Sequence, residues 1–349
     1  MVAKAVLRRF RMKRVLAPVA IVFSMAAASV DAGEIGHYNG GATNIRDLIM
    51  PDPGLYVPLY NYFYSTSRLN DANGNEIDSI LIKPGPGPGL NANVDVNVHL
   101  YVLVPAVLWV SPWKILGAKY AALVTPVFAN GSLEAALTRE SGTGRGISSS
   151  HFDVGDLYVQ PVWLGWSQPH WDIGLSYGFY APVGHYETET VVLPIVGPVK
   201  TESAENIGYG FWTHQVQGTL AWYPWTHKGT AVVTALTWEI NGNKKDFDLK
   251  PGQNLSLNWA ISQFLPLNQD KTWLLEVGPA GYSTWQITDD TGRDAANPSV
   301  HDHVHTVGGQ IGVTCVPWTA SLNFRYTHDV SSVDRFKGNA FSVNLAKRF

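Results

Sequence analysis

The chain is short of charge, of cysteine and of long apolar runs, and each shortage excludes something. Asp, Glu, Lys and Arg make up 15% of its 349 residues, against about 25% in a soluble domain, so an ordinary cytoplasmic surface is excluded. Beyond the N-terminal region no apolar stretch approaches the roughly 20 residues that a spanning helix needs, which excludes a helical membrane protein. The formal net charge of −3 offers no basic surface to nucleic acid. The lone Cys315 can close no intrachain disulfide. Stability must therefore come from a closed hydrogen-bonded sheet or a large core. No phosphate loop, CxxC pair or dinucleotide fingerprint occurs.

What is there is aromatic. The chain carries 13 Trp, 15 Tyr and 13 Phe beside 33 Gly, and 45% of it is hydrophobic, yet mean hydropathy is only −0.04. Such a content of aromatic and β-branched residues excludes disorder and points to a β protein. At the N-terminus Lys4, Arg8, Arg9, Arg11, Lys13 and Arg14 precede a short apolar stretch, Val15–Ala28, and Val30-Asp31-Ala32 places small residues at −3 and −1 of a cleavage site. Residues 1–32 are therefore expected to be a signal peptide for the general secretory route, and a start at Met12 would give it a more usual length. Removing it leaves 19 Lys+Arg against 27 Asp+Glu, a net charge of −8. Residues 33–54 are expected to lie in the periplasm or to plug the domain that follows, with Asn44–Met50 forming one or two helical turns.

Period-2 alternation marks twelve strand candidates, near residues 55–68, 94–110, 115–128, 152–166, 170–186, 210–224, 229–241, 253–265, 271–287, 302–316, 319–329 and 339–349. Their connections alternate in length. Asn70–Asn93, Asn130–Ser150, Tyr186–Tyr209, Asn241–Gly252, Thr288–His301 and Val330–Gly338 are the longer ones. Ser111–Lys114, Ser167–Pro169, Pro224–Lys228, Pro266–Asp270 and Pro317-Trp318 are tight. A sandwich has no reason to sort its loops by parity. An outer-membrane barrel does, having an even strand number, short periplasmic turns and long extracellular loops. The faces agree: Phe341, Val343 and Leu345 alternate with Ser342, Asn344 and Ala346, and Leu255, Leu257, Trp259 and Ile261 with Ser256, Asn258, Ala260 and Ser262.

Tryptophan placement names the outer solvent. Trp109, Trp113, Trp163, Trp166, Trp171, Trp222, Trp225, Trp273 and Trp318 lie near short turns, and Trp212, Trp238 and Trp285 near the opposite strand ends. Two interfacial girdles produce that distribution. The sequence thus predicts an all-β fold, a transmembrane antiparallel β-barrel of about 12 strands over residues 55–349, in the bacterial outer membrane. A soluble secreted barrel or sandwich is the alternative. Phe349, closing an alternating strand, is expected to address the chain to the barrel assembly machinery, with outer-membrane lipid as the other partner and a monomer as the assembly. Pro105, Pro126, Pro161, Pro182 and Pro279 fall inside predicted strands, where each removes a ladder hydrogen bond. They mark either bulges and strand ends or a gap in the wall through which an apolar ligand leaves.

Several phrases resemble one family. His37-Tyr38 with Gly41, Asp52-Pro53-Gly54-Leu55-Tyr56 and the spaced Tyr60, Tyr62 and Tyr64 are similar to its N-terminal signature. Gly155-Asp156-Leu157-Tyr158-Val159-Gln160-Pro161 with Leu164 and Trp166 resembles its strand motif, and Ala181-Pro182-Val183-Gly184-His185-Tyr186 its strand end, with Val183 where Thr is usual. This is the outer-membrane, transporter-like family named for the meta-pathway of phenol degradation. The resemblance implies a barrel and uptake of aromatic or hydrophobic compounds, and supplies no binding residues.

The less apolar face of each strand places Asp95, His99, Tyr101, Lys119, Asp156, Tyr158, Gln160, Gln215, Gln217, Glu239, Glu276 and Arg325 in the lumen. They form either interior ion pairs that stiffen the barrel or a polar pore lining. Tyr56, Tyr60, Tyr62 and Tyr64 either stack an aromatic guest or belong to the girdle. His301, His303 and His305, with Asp302 beside them, share a strand side and could ligate zinc or copper; a polar strand end above the bilayer explains them as well. Asp71, Asn73, Asn75 and Asp78 around Gly74 resemble part of a calcium loop that lacks its closing Glu. His99, His214 and Ser262 exist, but no spacing ties them into a hydrolase triad, so no enzyme, metal or cofactor is expected. The reading is a channel for small solutes, aromatic or hydrophobic by the resemblance. A closed structural barrel whose loops bind a partner is the competing class.

Overall fold

The computed structural model describes residues 35–82, 90–138, 144–193, 197–203, 205–295 and 297–349; the expected signal peptide lies outside them. The strands are β1 (Gly54–Thr66), β2 (Ser79–Ile82), β3 (Leu90–Pro105), β4 (Val107–Ile115), β5 (Ala118–Thr125), β6 (Phe128–Thr138), β7 (Gly144–Val154), β8 (Leu157–Ser167) and β9 (Trp171–Ala181). After them come β10 (Thr188–Leu193), β11 (Gly197–Glu202), β12 (Thr213–Trp222), β13 (Thr230–Asn241), β14 (Asn254–Pro266), β15 (Trp273–Gln286), β16 (His303–Cys315), β17 (Ala320–Val333) and β18 (Asn339–Arg348).

One sheet takes all of these except the β10–β11 hairpin, and it closes on itself where β18 pairs antiparallel with β1 from Tyr56↔Arg348 to Ser65↔Asn339. Three staves of the wall are interrupted. The register of β3 on β6 (Leu103↔Phe128) runs on into that of β4 on β5 (Val107↔Val124), so β3–β4 and β5–β6 are each one stave, as is β7–β8. With β2 only flanking β3, the wall is a closed antiparallel barrel of twelve staves. In lipid this closure leaves no edge with unpaired backbone groups.

The sheet is inside out relative to a soluble one. Outward residues on neighbouring strands are apolar and exposed, among them Leu175, Leu236, Ile261, Ile311, Phe341 and Leu345. A soluble monomer does not carry a contiguous apolar band of that extent. Fully buried positions include Glu239, Asn254, Asn344, Thr213, Thr237 and Thr327. Trp109 with Trp113, Trp171 with Trp222 and Trp273 with Trp318 form ring pairs at the end with the tight turns. Trp163 departs from the girdle expectation: it points inward and packs with Leu108, Val110 and Ala121.

The loops differ from expectation in two places. The first tight turn is Leu116-Gly117, with φ of 51° and 78°, the two positive values a two-residue hairpin requires. The chain at Ser111–Lys114 stays in strand with a register shift. Asn130–Ser150, expected as a loop, mostly continues β6 and β7, paired from Phe128↔Val154 to Thr138↔Gly144. These strands run past the hydrocarbon belt, where an outer face meeting water has no need of the apolar residues that make alternation visible.

The prolines fall at lapses in the ladder. Pro105 and Pro126 sit between the last β3–β6 pair and the first β4–β5 pair. Pro161 lies in the register shifts of β8 against both neighbours, and Pro182 follows the end of β9. Pro279 lies in a lapse between β14 and β15 but stays paired with Gly309 on β16. Because β9 ends opposite Leu157, β7 has no strand on its far edge among the described residues. A backbone bond from His185 N–H to the Val154 carbonyl, 2.9 Å, stands there in place of a ladder.

Candidate functional site in the barrel interior

The segment before β1 touches the inner faces of staves around the whole ring. His37 Nε2 lies 2.9 Å from Asp156 Oδ2 and its Nδ1 2.8 Å from Thr213 Oγ1. The Tyr38 N–H donates to Glu239 Oε1 at 2.9 Å, and its hydroxyl accepts from Asn258 Nδ2 at 3.0 Å. Arg325 donates to the Thr43 carbonyl at 2.7 Å, and the Ile45 N–H to Gln310 Oε1 at 3.0 Å. A short 3-10 turn follows, Ile45–Leu48, where the sequence expects one or two helical turns. Its Arg46 donates to Ser262 Oγ at 2.9 Å and lies 3.4 Å from Glu276 Oε1. Near the tight-turn end Lys119 meets Asp52 at 2.8 Å.

Glycine permits this approach. A Cβ on Gly36 would lie 2.2 Å from Glu239 Oε2, and one on Gly40 2.5 Å from Asn258 Oδ1. Burial drives the His37 imidazole below its ordinary value, against the opposing pull of Asp156. Burial likewise raises the Asp47 carboxyl, opposed by hydrogen bonds from Asn44.

Most residues assigned to the lumen from sequence meet on this inner surface. Asp156, Glu239, Glu276, Arg325, Gln217 and Lys119 hold the segment directly. Tyr158 donates to Gln160 at 2.9 Å and accepts from Gln215 at 2.9 Å, one layer away. Tyr60 faces Asp47, and Tyr62 faces Asn39. The Tyr56 hydroxyl donates to the Asp52 carbonyl at 2.7 Å.

Asp95, His99 and Tyr101 are corrections. Tyr62 points inward, and across from it lies Val102, with Val104 and Leu100 opposite Tyr60 and Tyr64. The even-numbered aliphatic face of β3 is therefore the inner one. Tyr101 instead stacks on outward-facing Phe63, 4.8 Å between ring centres, and Asp95 and His99 are exposed on the same side. Choosing the less apolar face as inner works within the hydrocarbon belt and inverts above it.

Other sequence candidates are dispersed. His301 pairs with Asp289 at 2.8 Å, while His305 bonds Ser283 at 2.8 Å; Asp302 turns inward to Arg335 at 2.7 Å. The Asp71 carboxylate accepts the N–H groups of Asn73 and Asn75 in a local turn. His99 and His214 face outward, and Ser262 faces inward to Glu276 at 2.5 Å. His37, Tyr38, Arg46 and Asp47 escaped notice as interior groups because an irregular segment has no periodicity to read.

A closed twelve-stave barrel, apolar outside, polar within and occupied by its own N-terminal segment, is an outer-membrane β-barrel protein. Residues 66–345 match the family model described as the putative MetA-pathway of phenol degradation, and the chain belongs to that family. No curated protein matches the sequence. In fold it is similar to an outer membrane channel from Pseudomonas putida F1, at 14% identity and a TM-score of 0.58 over 88% of this chain and 100% of that one. The Pseudomonas putida toluene transporter TodX shows 10% identity and a TM-score of 0.43 over 91% and 100% of the two chains.

Proposed function

We propose that the protein is an outer-membrane channel for small aromatic or otherwise hydrophobic solutes, with the segment before β1 as its plug. The observation that carries this reading is the division of the inner wall. From β12 to β18 it is mostly polar and bonded to the N-terminal segment, apart from a patch of small apolar residues (Ala221, Val233, Ala260, Ala280) that packs on Ile45. On β1, β3 and β4 it is tyrosine and aliphatic: Tyr60, Tyr62 and Tyr64 opposite Val104, Val102 and Leu100, continued by Leu108 and Val110. An aqueous porin interior is polar, whereas this strip suits an apolar ring. The strip borders the lapse between β3–β4 and β5–β6 beside Pro105 and Pro126, which supports a sideways exit into the membrane in place of passage down a water column. Membership in a family named for phenol degradation supports an aromatic solute.

Two measurements test this. Cells producing the protein should take up a labelled monoaromatic compound several-fold faster than vector-only cells. Liposomes holding the protein should swell in arabinose no faster than empty ones. Rapid arabinose entry would replace this reading with a general pore. Background values in both would favour the second reading, a closed structural barrel, which the filled interior also suits.

A further inference from the structure

Three metal-ligating side chains meet at the seam where β7 lacks a strand partner. His151 and Asp153 lie on β7, across from Gly131 and Ala129, and so on its inner side. His185 comes from the turn after β9. His151 Nε2 is 3.0 Å from Asp153 Oδ2, His185 Nδ1 is 3.4 Å from the same oxygen, and all three ligand atoms lie within 4.8 Å of one another. We propose that His151, Asp153 and His185 bind a divalent transition-metal ion of the zinc class, and that the ion fastens the free edge of β7 to the chain leaving β9.

The chemistry is that of an open zinc site. Two imidazoles and one carboxylate, each about 2.0–2.2 Å from a tetrahedral ion, stand roughly 3.3 Å apart, close to the two separations seen here. Imidazole with carboxylate selects zinc-like ions over calcium or magnesium, which prefer oxygen alone. Asp153 is already oriented: its Oδ1 accepts the Val154 N–H at 2.7 Å, leaving Oδ2 toward the histidines. The His185 N–H bonds the Val154 carbonyl, so backbone and side chain of one residue both reach β7. All three side chains are partly exposed, which leaves water to complete the coordination. The alternating histidines at 301–305 form no such cluster: one is paired with Asp289 and another with Ser283.

The position gives the ion a structural task. Among the described residues, β7 is joined to the chain leaving β9 by side chains and one backbone bond with no ladder, so a metal ion would add the strongest link across the seam. Titration of the full-length protein, refolded in detergent and freed of metal, tests the proposal with zinc alone and with cobalt as a spectroscopic probe. One zinc per chain should bind, and cobalt should give a visible d–d band. His151→Gln with His185→Gln should weaken zinc binding by more than the roughly 100-fold that loss of an outer-shell partner can cost, while the heat-modifiable folded band on a gel persists. A double variant at His301 and His303 should bind like the parent. Failure of the parent to bind one equivalent, or binding that survives the seam substitutions, overturns the proposal. Should the seam variant not give the folded band, protection of His151 and His185 from diethylpyrocarbonate by zinc in the parent decides instead, and equal labelling with and without zinc counts against the site.

Discussion

Asp156 has the most concentrated set of contacts at the seam. Its carboxylate accepts the N–H groups of Gly184 at 3.0 Å and Tyr209 at 2.9 Å and meets His37 at 2.9 Å. Asp156→Ala would strand these donors in a buried place, where each unsatisfied group costs about 1–3 kcal/mol. The expected loss is roughly 2–4 kcal/mol in the urea unfolding of the refolded barrel, with Asp156→Asn milder because an amide oxygen still accepts. His37, in a segment that does not itself cross the bilayer, supplies a pH dependence. Its folded value is depressed by burial, so the docked segment prefers neutral imidazole. Docking is at full strength above the free value of about 6.5 and weakens as pH falls below it toward the folded value. Hydrogen exchange in residues 36–50 should quicken on acidification over that interval, and His37→Gln should flatten the response.

At the scale of elements, the channel proposed above puts the strip of glycines and polar groups before β1 in the path of the solute. If solute transit displaces this segment, tethering it stops transit. Asn44→Cys with Asn344→Cys replaces two side chains that already meet, Asn344 donating to Asn44 Oδ1 at 2.8 Å; Cys315 is buried and should not interfere. The oxidised variant should lose uptake of the labelled aromatic compound and regain it with reductant. Uptake unchanged by oxidation would mean that the solute moves beside a fixed segment along the tyrosine and aliphatic strip. The twelve staves behind this experiment were legible in the sequence, because lipid on one side and water or polar groups on the other force alternation at every second residue. Alternation says which residues share a face and not which solvent that face meets. Hence the less apolar face puts Asp95, His99 and Tyr101 inside although β3 turns its valines inward, and Asn130–Ser150 reads as a loop because the outer face of β6 and β7 has no need of apolar residues above the hydrocarbon belt. The interior contacts of His37 and Arg46 were illegible for a different reason: they join positions more than a hundred residues apart, and no local pattern records such a pairing.

At the scale of the whole molecule, closure and delivery are separate problems, and Phe349 separates them. Phe349 donates its N–H to the Leu55 carbonyl at 2.8 Å, yet its side chain is 73% exposed and lies beyond the last β18–β1 pair. Removing it takes one hydrogen bond from a seam that already holds a full register from Tyr56 to Ser65, a net loss of about 0.5–1.5 kcal/mol against a closed sheet. Refolding of a chain lacking Phe349 into synthetic vesicles should therefore match the parent in yield, with only a small fall in urea midpoint. An aromatic residue exposed at a strand end serves either the interfacial girdle or recognition by the assembly machinery, and expression in cells separates the two. In cells the same deletion should cut the folded, outer-membrane fraction several-fold while unfolded chain accumulates in the periplasm. Equal membrane levels in cells would assign Phe349 to the interfacial girdle, alongside the Trp pairs of the tight-turn end. A parallel loss in vesicles would instead make the terminal bond part of what holds the barrel shut.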